Sequence, residues 1–193
     1  MTKIIIFSFI TNIFFYSYGN LFKPRNSLNK IDSYNNKSIV GAIIVCFIAL
    51  LSNFFIPLDK LFNTLVLSFG LSTLIYLKKN KFKKKELFYI FISTLITSLL
   101  LAYSNVNRPD AGLYHLPLTS IINEYKIIFG STNIHFRFGT GSIMQYLSAI
   151  NNNFIFGNIG IVIPLASLSS FFIIFFFNQV LKIFKKPKNI TIS

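Results

Sequence analysis

Tryptophan is absent from this 193-residue chain and cysteine occurs once. A single cysteine forms no internal disulfide, so nothing here fixes a redox compartment. Cys46, inside the run AIIVCFIAL, reads as a small apolar core residue. Charge is also scarce: 12% of residues are charged, against about a quarter in a soluble domain. Five acidic residues face 19 basic ones. The ten-residue alternating segments of a membrane barrel are missing too. What remains is apolar, with 53% hydrophobic residues, 17% aromatic and mean hydropathy +0.60. Uninterrupted apolar runs of about 17 residues or more recur, long enough for a helix to cross a bilayer at about 1.5 Å per residue. The expected class is an all-α polytopic membrane protein.

A net charge of +14 invites a nucleic-acid partner, but its distribution argues against one. The cations lie in short connectors between apolar runs, as the orientation rule for membrane helices requires, and not on one face of a soluble domain. Heavy use of Ile, Asn, Lys and Phe reads as the imprint of AT-rich coding. Single Asn and Lys residues are therefore weak markers of function.

Five spans are expected, at about 4–21, 39–56, 61–77, 87–103 and 154–177, the last with a possible continuation to Phe184. The first resembles a signal peptide, but the Tyr18-Gly19-Asn20 region lacks a small-x-small cleavage site, so it reads as an uncleaved helix. Lys23, Arg25, Lys30 and Lys37, the lysine run of residues 78–86, and Lys182, Lys185, Lys186 and Lys188 fall on one side of such a chain. Lys3, Lys60, Arg108, Lys126 and Arg137 fall on the other. The richer side is cytoplasmic by rule. The N-terminus and the 104–153 loop are then extracytoplasmic, the 182–193 tail is cytoplasmic, and the location is a bacterial inner membrane. Tyr16, Tyr18, Tyr76, Tyr89 and Tyr103 near the span ends suit interfacial anchoring.

The loop carries what little chemistry the chain offers. Leu118, Ile121, Ile122, Tyr125 and Phe129 recur at helical spacing, with Thr119, Ser120, Asn123, Glu124 and Lys126 opposite. Pro117 suits a first turn and Gly130 a C-terminal stop, which describes an amphipathic helix on the membrane surface. The piece Ser142 to Ile150 is too short to span and is cut off by Asn151-Asn152-Asn153. Asp110 could serve as a general base against an acceptor hydroxyl, or simply cap the helix that follows. Arg137 offers a rigid fork suited to phosphate, with His135 two residues away, and His115 is an interfacial hydrogen-bonding candidate. The histidines and Asp110 fall short of the usual three or four zinc ligands unless the loop folds back, so no metal is assigned.

The pattern D-x-x-x-Y-H-x-P (Asp110, Tyr114, His115, Pro117), then a surface helix, then N-x-H-x-R-x-G (Asn133, His135, Arg137, Gly139) resembles the multi-spanning glycosyltransferases of the GT-C fold, over roughly residues 85–155. The resemblance implies that Asp110 activates the acceptor hydroxyl and that the donor is a sugar on polyprenyl phosphate. Tyr114, His115, His135 and Arg137 would then bind substrate, the last two at the phosphate, with membrane lipids around them and no cofactor. Two departures stand beside it. Ala111 follows Asp110 where such enzymes carry a second acidic residue, and they have more spans than the five counted here, so a truncated chain or a partner subunit is expected. A non-catalytic subunit or lipid-binding module of a cell-envelope assembly is the alternative. A transporter ranks below both, because the spans hold almost no ionisable residue at mid-depth.

Overall fold

The computed structural model describes residues 1–21, 33–77, 84–104, 111–133, 136–140 and 142–185. Every regular element among them is helical. The long helices are α1 (Thr2–Leu21), α2 (Ser33–Asn53), α3 (Lys60–Leu77), α4 (Lys84–Tyr103) and α7 (Ile163–Lys185). Two short ones, α5 (Leu116–Glu124) and α6 (Ile143–Ile150), lie between α4 and α7. α1 is the central helix and packs on α2, α3, α4 and α7.

The bundle is inside out relative to a soluble one. α4 shows why: it exposes Phe88, Phe91, Leu95 and Leu99 while burying Ser93, Thr94, Thr97 and Ser98. Likewise α2 exposes Val40, Ile43, Phe47 and Leu51 and buries Ala42, Val45, Cys46 and Ala49. Such a surface is stable where the surroundings are as apolar as the side chains, and small or hydroxylated residues then suit helix contacts. Among the described residues four helical stretches are long and apolar enough to cross a membrane: Thr2–Leu21, Tyr34–Asn53, Glu86–Tyr103 and Gly157–Phe184.

Glycine sets the closest contact. A Cβ on Gly19 would strike the Lys37 carbonyl oxygen, and one on Gly41 the Phe15 carbonyl oxygen, so α1 and α2 run antiparallel with their backbones touching. Around this seam Phe14, Phe15, Tyr34 and Phe171 are almost wholly buried, with Phe171 edge-on to both Phe15 and Tyr34. Polar groups inside find one another. Asn12 Nδ2 donates to Ser93 Oγ at 3.2 Å and Thr94 Oγ1 at 3.3 Å, and the Tyr34 hydroxyl pairs with Ser93 Oγ at 2.8 Å. At the same end of the bundle Lys37 pairs with Glu86 at 3.3 Å and lies over the Tyr16 ring.

Several expectations need correcting. Tyr16 and Tyr18 are not turned outward from the bundle as anchors would be: both are 3% exposed, Tyr16 stacked on Tyr34 and Tyr18 donating to the Val66 carbonyl at 3.0 Å. Helical packing on α1 outcompetes anchoring there, while Tyr103 is 87% exposed. α2 ends at Asn53, three residues before the expected boundary, because Asn53 turns its side chain onto the Ile56 carbonyl and Phe54 and Phe55 donate back in tight turns. The last long helix starts at Ile163, not near Phe154. Asn153 Oδ1 holds the amides of Ile155 and Phe156 in a turn, and Gly157 follows in the left-handed region at φ 55°. Most of the lysine run, residues 78–83, lies outside the described residues.

Candidate functional site

The loop elements are assembled by asparagine. Asn63, in the first turn of α3, is fully buried and donates to the carbonyls of Leu58 (2.8 Å), Ala149 (2.9 Å) and Asn152 (2.8 Å). Asn123 on α5 donates to the same Leu58 and Ala149 carbonyls, at 2.6 and 3.0 Å, and accepts from Asn152 at 3.0 Å. Each of those two carbonyls therefore uses both lone pairs. Asn151 reaches into the bundle, donating to Thr11 Oγ1 at 3.2 Å and the Gly160 carbonyl at 3.3 Å. This amide knot ties the α2–α3 turn, α5, α6 and the turn before α7 into one layer over the bundle end.

It also explains why the surface helix is shorter than its periodicity suggests. α5 stops at Glu124 and Tyr125 is extended, so Tyr125 and Phe129 are not on the helix. Asn53 Nδ2 takes the Ile122 and Tyr125 carbonyls at 3.3 and 3.0 Å, and the Ile127 amide donates to Asn53 O at 2.9 Å. These tertiary bonds pull the chain out of the helix before Gly130, which serves a later turn at φ 79°. Pro117 does lie in the first turn, as expected. Thr119 does not face outward. It is buried, with its hydroxyl on the His115 carbonyl at 2.9 Å.

A π-helical turn, Ala111–His115, leads into α5 and presents Tyr114 and His115, whose rings lie 4.1 Å apart. The Arg137 guanidinium sits over the Tyr114 ring at 4.8 Å and over Phe136 at 5.6 Å. His115 Nδ1 meets Gln145 Nε2 of α6 at 3.1 Å, so with the amide donating, Nδ1 accepts and the ring proton sits on Nε2. Tyr114, His115 and Arg137, three of the residues singled out in the sequence, thus form one continuous patch. Asp110 and His135 lie outside the described residues, Asp110 immediately before the π-helical turn. Among the described residues no three His, Cys, Asp or Glu side chains gather as a metal site.

Beside the patch is a cleft of about 160 Å³ between α5, α6 and the loop after Tyr125. Leu118, Ile121, Ile122, Phe138 and Tyr146 form its walls, Gln145 its inner end and Lys126 its ionisable rim. Burial pushes the Tyr146 phenol above its ordinary pKa, so it lines the cleft as a neutral group. Gln145 is 8% exposed and its Oε1 is buried with no hydrogen-bond partner among the described residues. Neither Gln145 nor the asparagines stood out in the sequence. The available signals were an amide in the otherwise apolar start of a short helix, IMQYL, and the Asn151-Asn152-Asn153 run.

No curated protein and no solved structure matches the chain. The profile of a domain family of unknown function, DUF8201, matches residues 1–193, and the chain belongs to that family.

Proposed function

We propose that this chain supplies the acceptor-activating loop of a GT-C-like glycosyltransferase, moving sugar from a polyprenyl-phosphate donor at the extracytoplasmic face of a bacterial inner membrane. In this reading α3 is a fifth crossing, the N-terminus is outside and the C-terminal tail is cytoplasmic. The observation that carries it is the joining of Tyr114, His115 and Arg137 across 21 intervening residues of loop into one patch, with Asp110 shortly upstream in sequence. Asp110 takes the acceptor proton. Arg137, its plane fixed against Tyr114, meets the donor phosphate, and His115, held by Gln145, faces the acceptor side.

Membranes containing the protein, given a radiolabelled polyprenyl-phosphate sugar, test this directly. Transfer should fall about a hundredfold or more with Asp110→Asn, the usual scale for a lost general base. The second reading is a non-catalytic lipid-binding module, favoured by the cleft, which mixes apolar and polar lining, and by Phe129 and Phe136, which are 87% and 72% exposed on the loop. Transfer indifferent to Asp110→Asn, or no transfer at all, would leave that reading standing alone.

A further inference from the structure

The cleft holds a contradiction that a ligand resolves. Gln145 has one arm of its amide fixed on His115 and the other, Oε1, buried without a partner. An orphaned buried acceptor is costly, by about 1–3 kcal/mol, unless something donates to it. Gln145 lines the cleft, and among the described residues none of its other polar lining groups, Asn53, Tyr125, Ser131 and Tyr146, reaches Oε1, so a donor must come from what enters it. The entrant's size is bounded: a cavity of roughly 150 Å³ takes about one six-membered ring, and an acyl chain does not fit. Its charge is bounded too. Lys126 is the ionisable rim group, and the nearby Glu124 does not line the cleft. At the depth of an amphipathic surface helix, the group that carries hydroxyls and an anion together is a lipid headgroup.

We propose that this cleft binds the polyol headgroup of an anionic phospholipid, of the phosphatidylglycerol type. A headgroup hydroxyl donates to Gln145 Oε1, the carbon skeleton lies against Ile121, Ile122 and Phe138, and the phosphate meets Lys126 at the rim. The acyl chains remain outside in the bilayer. The site rests on α5 lying at the membrane surface, which it shares with the proposed function, but needs neither Asp110 nor any transfer. A chain that transfers no sugar and still selects this headgroup would keep the site and lose only the enzyme.

The test is native mass spectrometry of the full chain in detergent, with dioleoyl phosphatidylglycerol, dioleoyl phosphatidate or dioleoyl phosphatidylcholine added singly. Phosphatidate has the phosphate without the hydroxyls, and phosphatidylcholine has no net charge. Phosphatidylglycerol should be retained about five- to tenfold better than phosphatidate, the scale of one well-placed hydrogen bond. Gln145→Leu should abolish that preference while leaving phosphatidate binding unchanged, and Lys126→Ala should weaken both anionic lipids together. Ile121→Trp, which fills the cleft without touching Gln145, should remove the preference by a second route if Gln145→Leu does not fold. Equal retention of phosphatidylglycerol and phosphatidate by the unaltered chain would overturn the proposal. So would a preference that survives both Gln145→Leu and Ile121→Trp. Displacement of the lipid by equimolar glycerol 1-phosphate would overturn the lipid assignment in favour of the soluble phosphoalcohol.

Discussion

Replacing Asn63 by Asp, a change of one nitrogen for one oxygen, should cost this protein about 3 kcal/mol or more at neutral pH. The volume is unchanged, so a packing argument expects almost nothing. The hydrogen-bond argument expects otherwise. Asn63 Nδ2 faces three carbonyl oxygens at 2.8–2.9 Å and is wholly shielded from water. An ionised carboxylate there sets negative charge against three carbonyl dipoles. A neutral carboxyl keeps one O–H where the amide had two N–H bonds. Burial among acceptors disfavours the charged form, so the variant's carboxyl would have its folded pKa raised above the unfolded value. A group of that kind is least damaging below the unfolded carboxyl pKa of about 4 and most damaging once pH rises past the folded value. Thermal unfolding in detergent should therefore show the Asn63→Asp deficit growing between pH 4 and pH 8, with no such trend for Asn63→Leu. Asn63→Leu should lose about 2–3 kcal/mol at every pH, because Asn123 still serves two of the three carbonyls. A deficit for Asn63→Asp under about 1 kcal/mol at pH 8 would mean the knot contributes little.

That knot marks where the sequence stops being readable. Hydrophobic run length placed α1, α3 and α4 within a few residues, because a span's identity is a local property of composition. Tyr114, His115 and Arg137 could also be singled out, since charged and aromatic groups are conspicuous in an apolar chain. Their meeting could not, because it depends on a tertiary return of the chain that sets Arg137 over Tyr114. The asparagines were hidden for a different reason. In a chain rich in Asn each one looks like background, and only tertiary structure separates Asn63, which holds three carbonyls on two stretches of backbone, from an Asn on a connector. Two further asparagines overrode local periodicity, Asn53 ending α5 at Glu124 and Asn153 delaying α7 to Ile163. Gln145 combines both difficulties: its amide is unremarkable in sequence, and its significance lies in one atom having no partner.

Gly41→Ala should be a severely damaging single-methyl change, although Ala is the better helix former by about 1 kcal/mol. The added Cβ would overlap the Phe15 carbonyl oxygen and lie 2.7 Å from the Gly19 nitrogen and 2.8 Å from the Phe15 carbonyl carbon. All three are backbone atoms, so no rotamer change relieves the clash and α1 must move away from α2. That movement loosens the burial of Phe14, Phe15 and Tyr34 along the same seam, and a loss of more than about 3 kcal/mol is expected in detergent unfolding. Gly112→Ala is the control, since nothing among the described residues lies within 4 Å of its added Cβ. There the better backbone propensity should act alone, leaving stability unchanged or slightly raised. Gly19→Ala strikes the Lys37 carbonyl from the other side and should cost about as much as Gly41→Ala. The double variant then separates two pictures of the seam. If each methyl strains its own site, the losses add. If α1 and α2 part as rigid bodies, the first methyl opens the gap that the second needs, and the pair should cost clearly less than the sum. Because Gly19 and Gly41 already approach each other through backbone atoms, the rigid-body outcome is the expected one.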